Sequence, residues 1–517
     1  MPVRTAALGL LLLALSGPAS AYEEGVHQLI GERALPVALP RGLARPGPED
    51  AAALRRAAWD AGATHPRSDV RRRFLARYAD AAGFDAWAWK ELLGLTPEAQ
   101  VVGIDVFPDL GGDARTVAAL AARAPDEDRR NRERFAHGPD RKVRRDAWGR
   151  PLPADPAQLD MGSLQGLSSQ AHAHYGLPSL EFSDAPEVLR TDPRRFAYPP
   201  NARAFAADFA QLHTDLALAS AGLGTRGGDA LSWLYLGSAQ HYLADVANQI
   251  HTLQAVYPFF VDAKIQSWKE EALSLGGLLR PRPDFVEIGI GIIQNHHLFL
   301  ENLWSKRVGE ALAGRPVHPR VSAGLEALAH GDADLGRVLD ARRLDPAGPF
   351  ARAIAEEVIE ASSRDGAEAY ETARDIARPR LSRSGYELKD GSDPDLELRP
   401  SPDPARLDRF LEIQGRGFAR AATALRYQTR LFEEAVAAAG GSAAGRAALR
   451  DAALRRLVAS GLDGLEAREA GLARWAPSPP PRTRVNWAVA LGLLAGAALL
   501  AVAVVATAAR VRRRPAR

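Results

Sequence analysis

The chain has 517 residues, of which 46% are hydrophobic and 25% are charged, and its formal net charge is +3 at pH 7. This is an ordinary globular composition, sufficient for one large domain or two medium ones. Cysteine is absent, which excludes disulfide bonds and thiolate ligands. Any metal site must therefore use histidine and carboxylate side chains.

The N-terminal segment, residues 1–21, has the organisation of a secretory signal peptide. One cation, Arg4, precedes an apolar run from Ala6 to Leu15, and Ala19-Ser20-Ala21 is a small-x-small pattern that signal peptidase accepts. We therefore predict that Tyr22 is the first residue of the mature protein.

Most of the mature sequence predicts an all-α fold. Ala, Leu, Glu and Arg dominate, and apolar residues recur at three- and four-residue spacing in Arg71–Leu93, Ala202–Leu223 and Leu407–Ala439. Residues 22–320 are expected to form the main domain, and residues 321–475 a helical extension that packs on it. Five tryptophans are interpreted as core residues: Trp59, Trp87, Trp89, Trp233 and Trp268.

The C-terminal region predicts a spacer, a membrane anchor and a tail. Residues 476–486 are proline-rich and typical of a stiff linker. Trp487–Ala509 contains 23 residues without a charge, enough at about 1.5 Å per residue to cross a hydrocarbon core of about 30 Å. The five arginines in residues 510–517 favour a cytoplasmic tail, with the main domain on the extracytoplasmic side.

The basic excess lies largely at the two ends of the chain. Without Arg4 and the tail arginines, the 66 basic residues fall to 60, against 63 acidic residues. The outer part therefore carries a net charge of about −3, which disfavours the binding of polyanions such as nucleic acid.

A helical segment, LYLGSAQHYLADVANQIH, carries the first candidate ligands. His241 and Asp245 lie four residues apart, so they share one face of a helix and could bind one ion. His251 lies six residues beyond Asp245, off that face. It would reach a neighbouring metal, or the first one if the helix bends.

A second segment, IIQNHHLFLE, repeats the spacing with His297 and Glu301. An isolated pair of this kind is more simply explained as a histidine hydrogen-bonded to a carboxylate one turn away. Two such pairs together with His251 favour a metal site.

The segment YLGSAQHYLADVANQIH closely resembles the HxxxDxxxxxH segment of the zinc-dependent phospholipases C and their single-strand-specific nuclease relatives. The resemblance implies a multi-helix phospholipase C-like domain with two or three zinc ions. His241 and Asp245 would belong to a pair of close zincs that Asp245 bridges. His251 would join His297 and Glu301 at another zinc.

The same resemblance implies ligands near the N-terminus. In this family the mature N-terminal amine and carbonyl chelate zinc together with a histidine of the first helix. Tyr22 and His27, in YEEGVHQLIGERAL, match the spacing of the nuclease branch, although the family usually has Trp at the first position.

One further histidine and one aspartate are expected between the first helix and Leu234. His174, in AHAHYG, is favoured because Tyr175 follows it, and His172 and His137 are alternatives. Asp109 is favoured for the aspartate, both as a ligand and as the residue that orients or deprotonates the attacking water. Asp105 and Asp69 compete with it for this role.

The resemblance implies a zinc-dependent phosphodiester hydrolase. The membrane anchor and the absence of a basic outer charge favour phospholipid as the substrate. A nuclease or nucleotidase of the same fold is the alternative, in which nucleic acid would be a substrate. A non-catalytic, membrane-anchored helical scaffold is the third interpretation.

Overall fold

The structure is a computed structural model. It describes residues 24–94, 113–127, 138, 141–145, 149, 174, 176, 205–252, 265, 267–269, 271–275, 278, 303–378, 397–398, 403–474 and 487–512. The predicted signal peptide and the Pro-rich linker lie outside these residues.

The described residues are predominantly helical, which confirms the prediction of a helical fold. The strands within these ranges form a short antiparallel pair in which Ala377 pairs with Leu398 and Arg378 with Glu397. The elements are α1 (Glu24–Ala34), α2 (Pro48–Ala63), α3 (Ser68–Arg77), α4 (Ala86–Leu93), α5 (Ala114–Ala121), α6 (Ala124–Glu127), α7 (Ala206–Ala221), α8 (Arg226–Ala247), α9 (Pro319–His330), α10 (Ala333–Arg342), α11 (Phe350–Ile376), β1 (Ala377–Arg378), β2 (Glu397–Leu398), α12 (Pro404–Ala439), α13 (Ala443–Arg474) and α14 (Trp487–Arg512).

The stretch Arg71–Leu93 forms two helices rather than one. The first ends at Arg77, and Asp85 starts the second because its carboxylate accepts a hydrogen bond from the backbone N–H of Ala88 at 3.0 Å. An aspartate at the N-cap satisfies one of the unpaired N–H groups of a first helical turn. The apolar periodicity is therefore interrupted by local capping chemistry.

Helices α7 and α8 form the centre of the fold. They pack against each other, and α8 also contacts α1, α5, α11 and α12. Every residue of α7 and nearly every residue of α8 is buried. A helix buried on nearly all sides lies in the interior of a large domain, so the polar residues of its C-terminal half are interior polar residues.

The hydrophobic core continues from the N-terminal helices into α9–α13. Buried polar contacts also join these parts, since Gln240 Nε2 donates to Thr429 Oγ1 at 3.1 Å and Gln428 Nε2 donates to Thr214 Oγ1 at 2.8 Å. Helices α11 and α12 therefore form part of the packing around α8.

The tryptophans do not all behave as predicted. Trp89 and Trp233 are buried in the core, whereas Trp59 and Trp87 are half-buried. Trp268 is 64% exposed, so its interpretation as a core residue is wrong.

Helix α14 is long and apolar enough to cross a membrane. Its apolar span, Trp487–Thr507, has a mean hydropathy of 2.6 and is 6% buried within the protein. It is the one helix of this kind among the described residues. An exposed apolar helix of this length matches the thickness of a bilayer core.

Candidate metal centre

Helix α8 positions two donors in the interior of the domain. Its N-terminus is capped by Thr225, whose Oγ1 accepts a hydrogen bond from the Gly228 N–H at 2.9 Å. One turn before its C-terminus, His241 and Asp245 lie on the same face, with Nε2 and Oδ2 3.1 Å apart. Both side chains are completely buried.

Helix α1 contributes a third donor. His27 Nε2 lies 3.3 Å from Asp245 Oδ1, and the His27 and His241 rings stack with their centroids 4.0 Å apart. The donor atoms of these three residues all lie within 4.8 Å of one another. His27, His241 and Asp245, called the three-ligand group below, could therefore hold a metal ion.

The spacing of the three-ligand group fits a small divalent cation. Ligands at about 2.0–2.2 Å in a tetrahedral arrangement are separated from one another by about 3.3–3.6 Å. The distances of 3.1 and 3.3 Å from the carboxylate of Asp245 to His241 and His27 are close to this. Asp245 Oδ1 is buried and accepts no hydrogen bond from the described residues, so it is placed to bind a cation.

His174 approaches the same carboxylate more closely. Its Nδ1 lies 2.6 Å from Asp245 Oδ2 and 3.0 Å from His241 Nε2. A separation of 2.6 Å is that of a charge-assisted hydrogen bond and is too short for two ligands of one ion. His174 therefore donates to the carboxylate and holds it in place beside the three-ligand group.

His251 lies beyond the end of α8, which stops at Ala247 and is followed by a 3₁₀ turn, Gln249–His251. Its Nδ1–H donates to the backbone oxygen of His174 at 2.9 Å, and its own carbonyl accepts from the Gly176 N–H at 2.8 Å. In the described part of the chain, His251 fixes the backbone of His174 and is not one of the three ligands.

A backbone carbonyl sets the tautomer of His241. Its Nδ1–H donates to the oxygen of Ala122, just after α5, at 2.8 Å. This bond leaves the lone pair of Nε2 directed at Asp245. Metal-binding histidines commonly have such an outer partner, which orients the ring and fixes the nitrogen that binds.

Two glycines bring α1 and α8 against α5. A Cβ atom at Gly237, one turn before His241, would lie 2.2 Å from the Ala118 oxygen. One at Gly31, one turn after His27, would lie 2.9 Å from the Ala119 Cα. The absence of side chains at these positions allows the close packing that places both histidines beside Asp245.

The charge of the centre follows from its burial. Burial lowers the pKa of His241 to about 3, so this imidazole is neutral at pH 7. Burial alone would raise the pKa of Asp245, but its interactions with His241 and His174 outweigh this and hold the pKa well below its usual value. An ionised carboxylate beside the neutral His241 in the interior favours a bound cation.

Several predicted site residues lie outside the described residues: Tyr22, Asp109, His297 and Glu301, with the alternatives Asp105, His137 and His172. Asp69 is described and does not join the centre. It lies at the surface, where its carboxylate pairs with Arg67 at 2.7 Å. Of the nine predicted site residues, the structure brings together His27, His174, His241 and Asp245, with His251 adjoining them.

The sequence reasoning missed the Ala122 carbonyl and the two glycines. A carbonyl has no sequence signature, because every residue carries one. Gly31 and Gly237 do have one, since each lies four residues from a candidate histidine and therefore one helical turn away.

Comparisons with protein-family models, with curated proteins and with solved structures find no match to this chain.

Proposed function

We propose that this chain is a zinc-dependent hydrolase of phosphoric esters that acts as a phospholipase C on membrane phospholipid. The observation that carries the proposal is the buried three-ligand group, whose two imidazole nitrogens and one carboxylate suit a divalent ion. The resemblance of Tyr235–His251 to the zinc-dependent phospholipases C supports zinc and phosphoric ester chemistry. It also leads us to expect two or three zincs per chain.

In this proposal, His27 Nε2, His241 Nε2 and the Asp245 carboxylate hold one ion. A bound zinc would supply Lewis acidity to a phosphoryl oxygen and a means to activate water at neutral pH. The ligands of the further ions would be Tyr22, Asp109, His251, His297 and Glu301, together with His174 through its Nε2, since its Nδ1–H is donated to Asp245. Asp109 would also orient or deprotonate the attacking water.

The protein's own groups prepare the centre. The Ala122 carbonyl accepts the Nδ1–H of His241, so Nε2 is the nitrogen that would bind the ion, and His174 holds one oxygen of Asp245 by a hydrogen bond of 2.6 Å. Because the three-ligand group contains only one carboxylate, it compensates a divalent charge only in part. The loaded centre would therefore attract a phosphate anion.

Phospholipid is the proposed substrate because α14 keeps the domain beside a bilayer. The proposed topology places the domain on the extracytoplasmic side of the cell membrane and the arginine-rich tail in the cytoplasm. The spacing of Tyr22 and His27 favours a second candidate, a nuclease or nucleotidase of the same fold. Activity on phosphatidylcholine vesicles and on single-stranded DNA distinguishes the two.

The test is diesterase activity of the purified full-length chain, with its bound metal quantified in the same sample. We expect hydrolysis of phosphatidylcholine with release of the phosphorylated headgroup, and loss of both activity and metal in His241→Ala. Because the three ligands are buried, a purely structural metal site is the competing interpretation. Bound metal without hydrolysis of either substrate would support that interpretation.

A different result is expected if the chain is a non-catalytic, membrane-anchored helical scaffold. A degenerate centre would retain fewer than two metal ions per chain, and His241→Ala would leave every measured activity unchanged. Either result would overturn the proposed function.

A further inference from the structure

Residues 265, 267–269 and 271–275, called the outward segment below, form a short helical region ending in a turn and present apolar side chains to solvent. Ile265 is 43% exposed, Trp268 64% and Leu273 63%. Ala272 and Leu278, just beyond the segment, are exposed as well. Other exposed apolar residues of the described domain, such as Val37 and Val338, occur singly.

The polarity of the outward segment is inverted. At about 100° per residue, positions 265, 268, 272 and 273 lie on one side of the helix, and positions 267, 271 and 274 on the other. The second side faces the protein, where Ser274 is fully buried and Ser267 and Glu271 are half-buried. A surface helix of a soluble protein has the opposite arrangement.

We propose that the outward segment docks on the surface of the lipid bilayer. A contiguous exposed apolar face marks an interaction site, and here the chain itself supplies the candidate surface. Helix α14 is apolar enough to enter a bilayer, and residues 475–486 join it to α13. About a dozen residues extend at most about 40 Å, so the domain stays close to the bilayer.

The side chains suit the interface between lipid and water. Tryptophan is enriched at this depth because its ring is amphipathic, and a lysine beside it can extend its ammonium group to the headgroups. Trp268 and Lys269 both lie on the exposed side, whereas Glu271 lies on the opposite side. The exposed side therefore combines apolar groups with a positive charge.

The docking itself does not depend on the proposed hydrolase activity.

The absence of cysteine allows a direct test. Trp268→Cys and Leu273→Cys each create a single labelling site in the full-length chain. Each is labelled with a nitroxide and reconstituted into vesicles of phosphatidylcholine and phosphatidylglycerol. Val338→Cys, on α10, is the control because Val338 is also an exposed apolar residue, at 43% exposure, and lies outside the outward segment. Accessibility to oxygen and to a water-soluble chromium complex is measured by electron paramagnetic resonance.

We expect the ratio of oxygen to chromium accessibility to be several-fold higher at positions 268 and 273 than at position 338. The ratio should persist when His241→Ala is added, which separates docking from the metal-dependent activity. Labels at 268 and 273 that are as accessible to the chromium complex as the label at 338 would overturn the proposal. In that case, a protein partner or a second copy of the chain would remain to cover the face.

Discussion

Helix α8 and the outward segment have opposite relations to their surroundings. Helix α8 is buried on nearly every side and yet carries His241 and Asp245, whereas the outward segment lies at the surface and exposes Trp268 and Leu273. A buried charge costs free energy unless it has a partner of opposite charge, and a contiguous apolar face in water costs free energy unless another apolar surface covers it. In our two proposals, each region is completed by a component from outside the chain, a cation for α8 and lipid for the outward segment.

The largest expected effect comes from removing the interior charge. Asp245→Asn keeps the shape of the side chain and removes the negative charge that the cation requires. We expect loss of the bound ion and a decrease of about 3–5 kcal/mol in the free energy of unfolding. Metal analysis and thermal unfolding followed by circular dichroism measure the two effects.

Asp69→Asn is the matched control, since Asp69 pairs with Arg67 at the surface with about half of its side chain exposed. We expect it to retain the metal and to change stability little. Equal metal content and equal stability of the two variants would show that the interior carboxylate is not required for metal binding.

A smaller effect is expected from disturbing the packing that places His241. In Gly237→Ala the new methyl group meets the Ala118 oxygen, so α5 and α8 must separate. We expect a destabilisation of about 1–3 kcal/mol and a decrease of roughly 10–100-fold in metal affinity, because the Ala122 carbonyl moves away from His241. Metal titration with a competing chelator measures the affinity.

Gly309→Ala provides the control for this packing prediction. Nothing lies within 4 Å of a Cβ atom at Gly309, which is in a helix. We expect a stabilisation of about 0.5–1 kcal/mol and unchanged metal affinity. Unchanged affinity in both variants would refute the role assigned to Gly237.

For the metal-free protein, we expect the free energy of unfolding to depend on pH. The effect should be similar to or smaller than that of Gly237→Ala. The pKa of His241 in the folded protein is about 3, below its ordinary value of 6.5, and the pKa of Asp245 is also lowered. The unfolded chain therefore binds more protons between these values. The contribution of these two groups to the free energy of unfolding is complete above about pH 6.5. It decreases as the pH falls toward 3, by up to about 1.4 kcal/mol per pH unit for each proton.

Unfolding of the chelator-treated chain between pH 7.5 and 4 measures this slope, with His241→Ala as the comparison. The variant lacks one of the two groups, so its slope should be shallower. An identical slope in both proteins would show that His241 does not titrate differently in the folded and unfolded states.

The smallest effect on the fold is expected in the outward segment. Trp268→Ser removes an exposed apolar group, and we expect stability and metal content to change little. If the segment contacts lipid, hydrolysis of vesicle phospholipid should decrease while hydrolysis of a water-soluble phosphodiester stays the same. A parallel decrease on both substrates would contradict the docking role.

The sequence predicted the pair on α8 better than its surroundings. His241 and Asp245 could be found because a four-residue spacing within an apolar helix places two donors on one face. His27 could be linked to them only through the family resemblance, since 214 residues separate it from His241. The contact with the Ala122 carbonyl depends on tertiary packing, which no local pattern encodes.

Periodicity was less informative about the environment of a helix face. The apolar spacing around Trp268 identifies one side of a helix but not whether that side meets protein, water or lipid. The prediction of a core tryptophan failed for this reason. In Arg71–Leu93, the helical pattern was correct, but the capping role of Asp85 decided where one helix ended and the next began.

The most direct test of the central claim is X-ray absorption spectroscopy at the zinc edge on the purified full-length chain. We expect nitrogen and oxygen ligands at about 2.0–2.2 Å, with the outer scattering of imidazole rings, and loss of this signal in His241→Ala. A spectrum without imidazole scattering, or one that His241→Ala leaves unchanged, would contradict a metal centre built on α8.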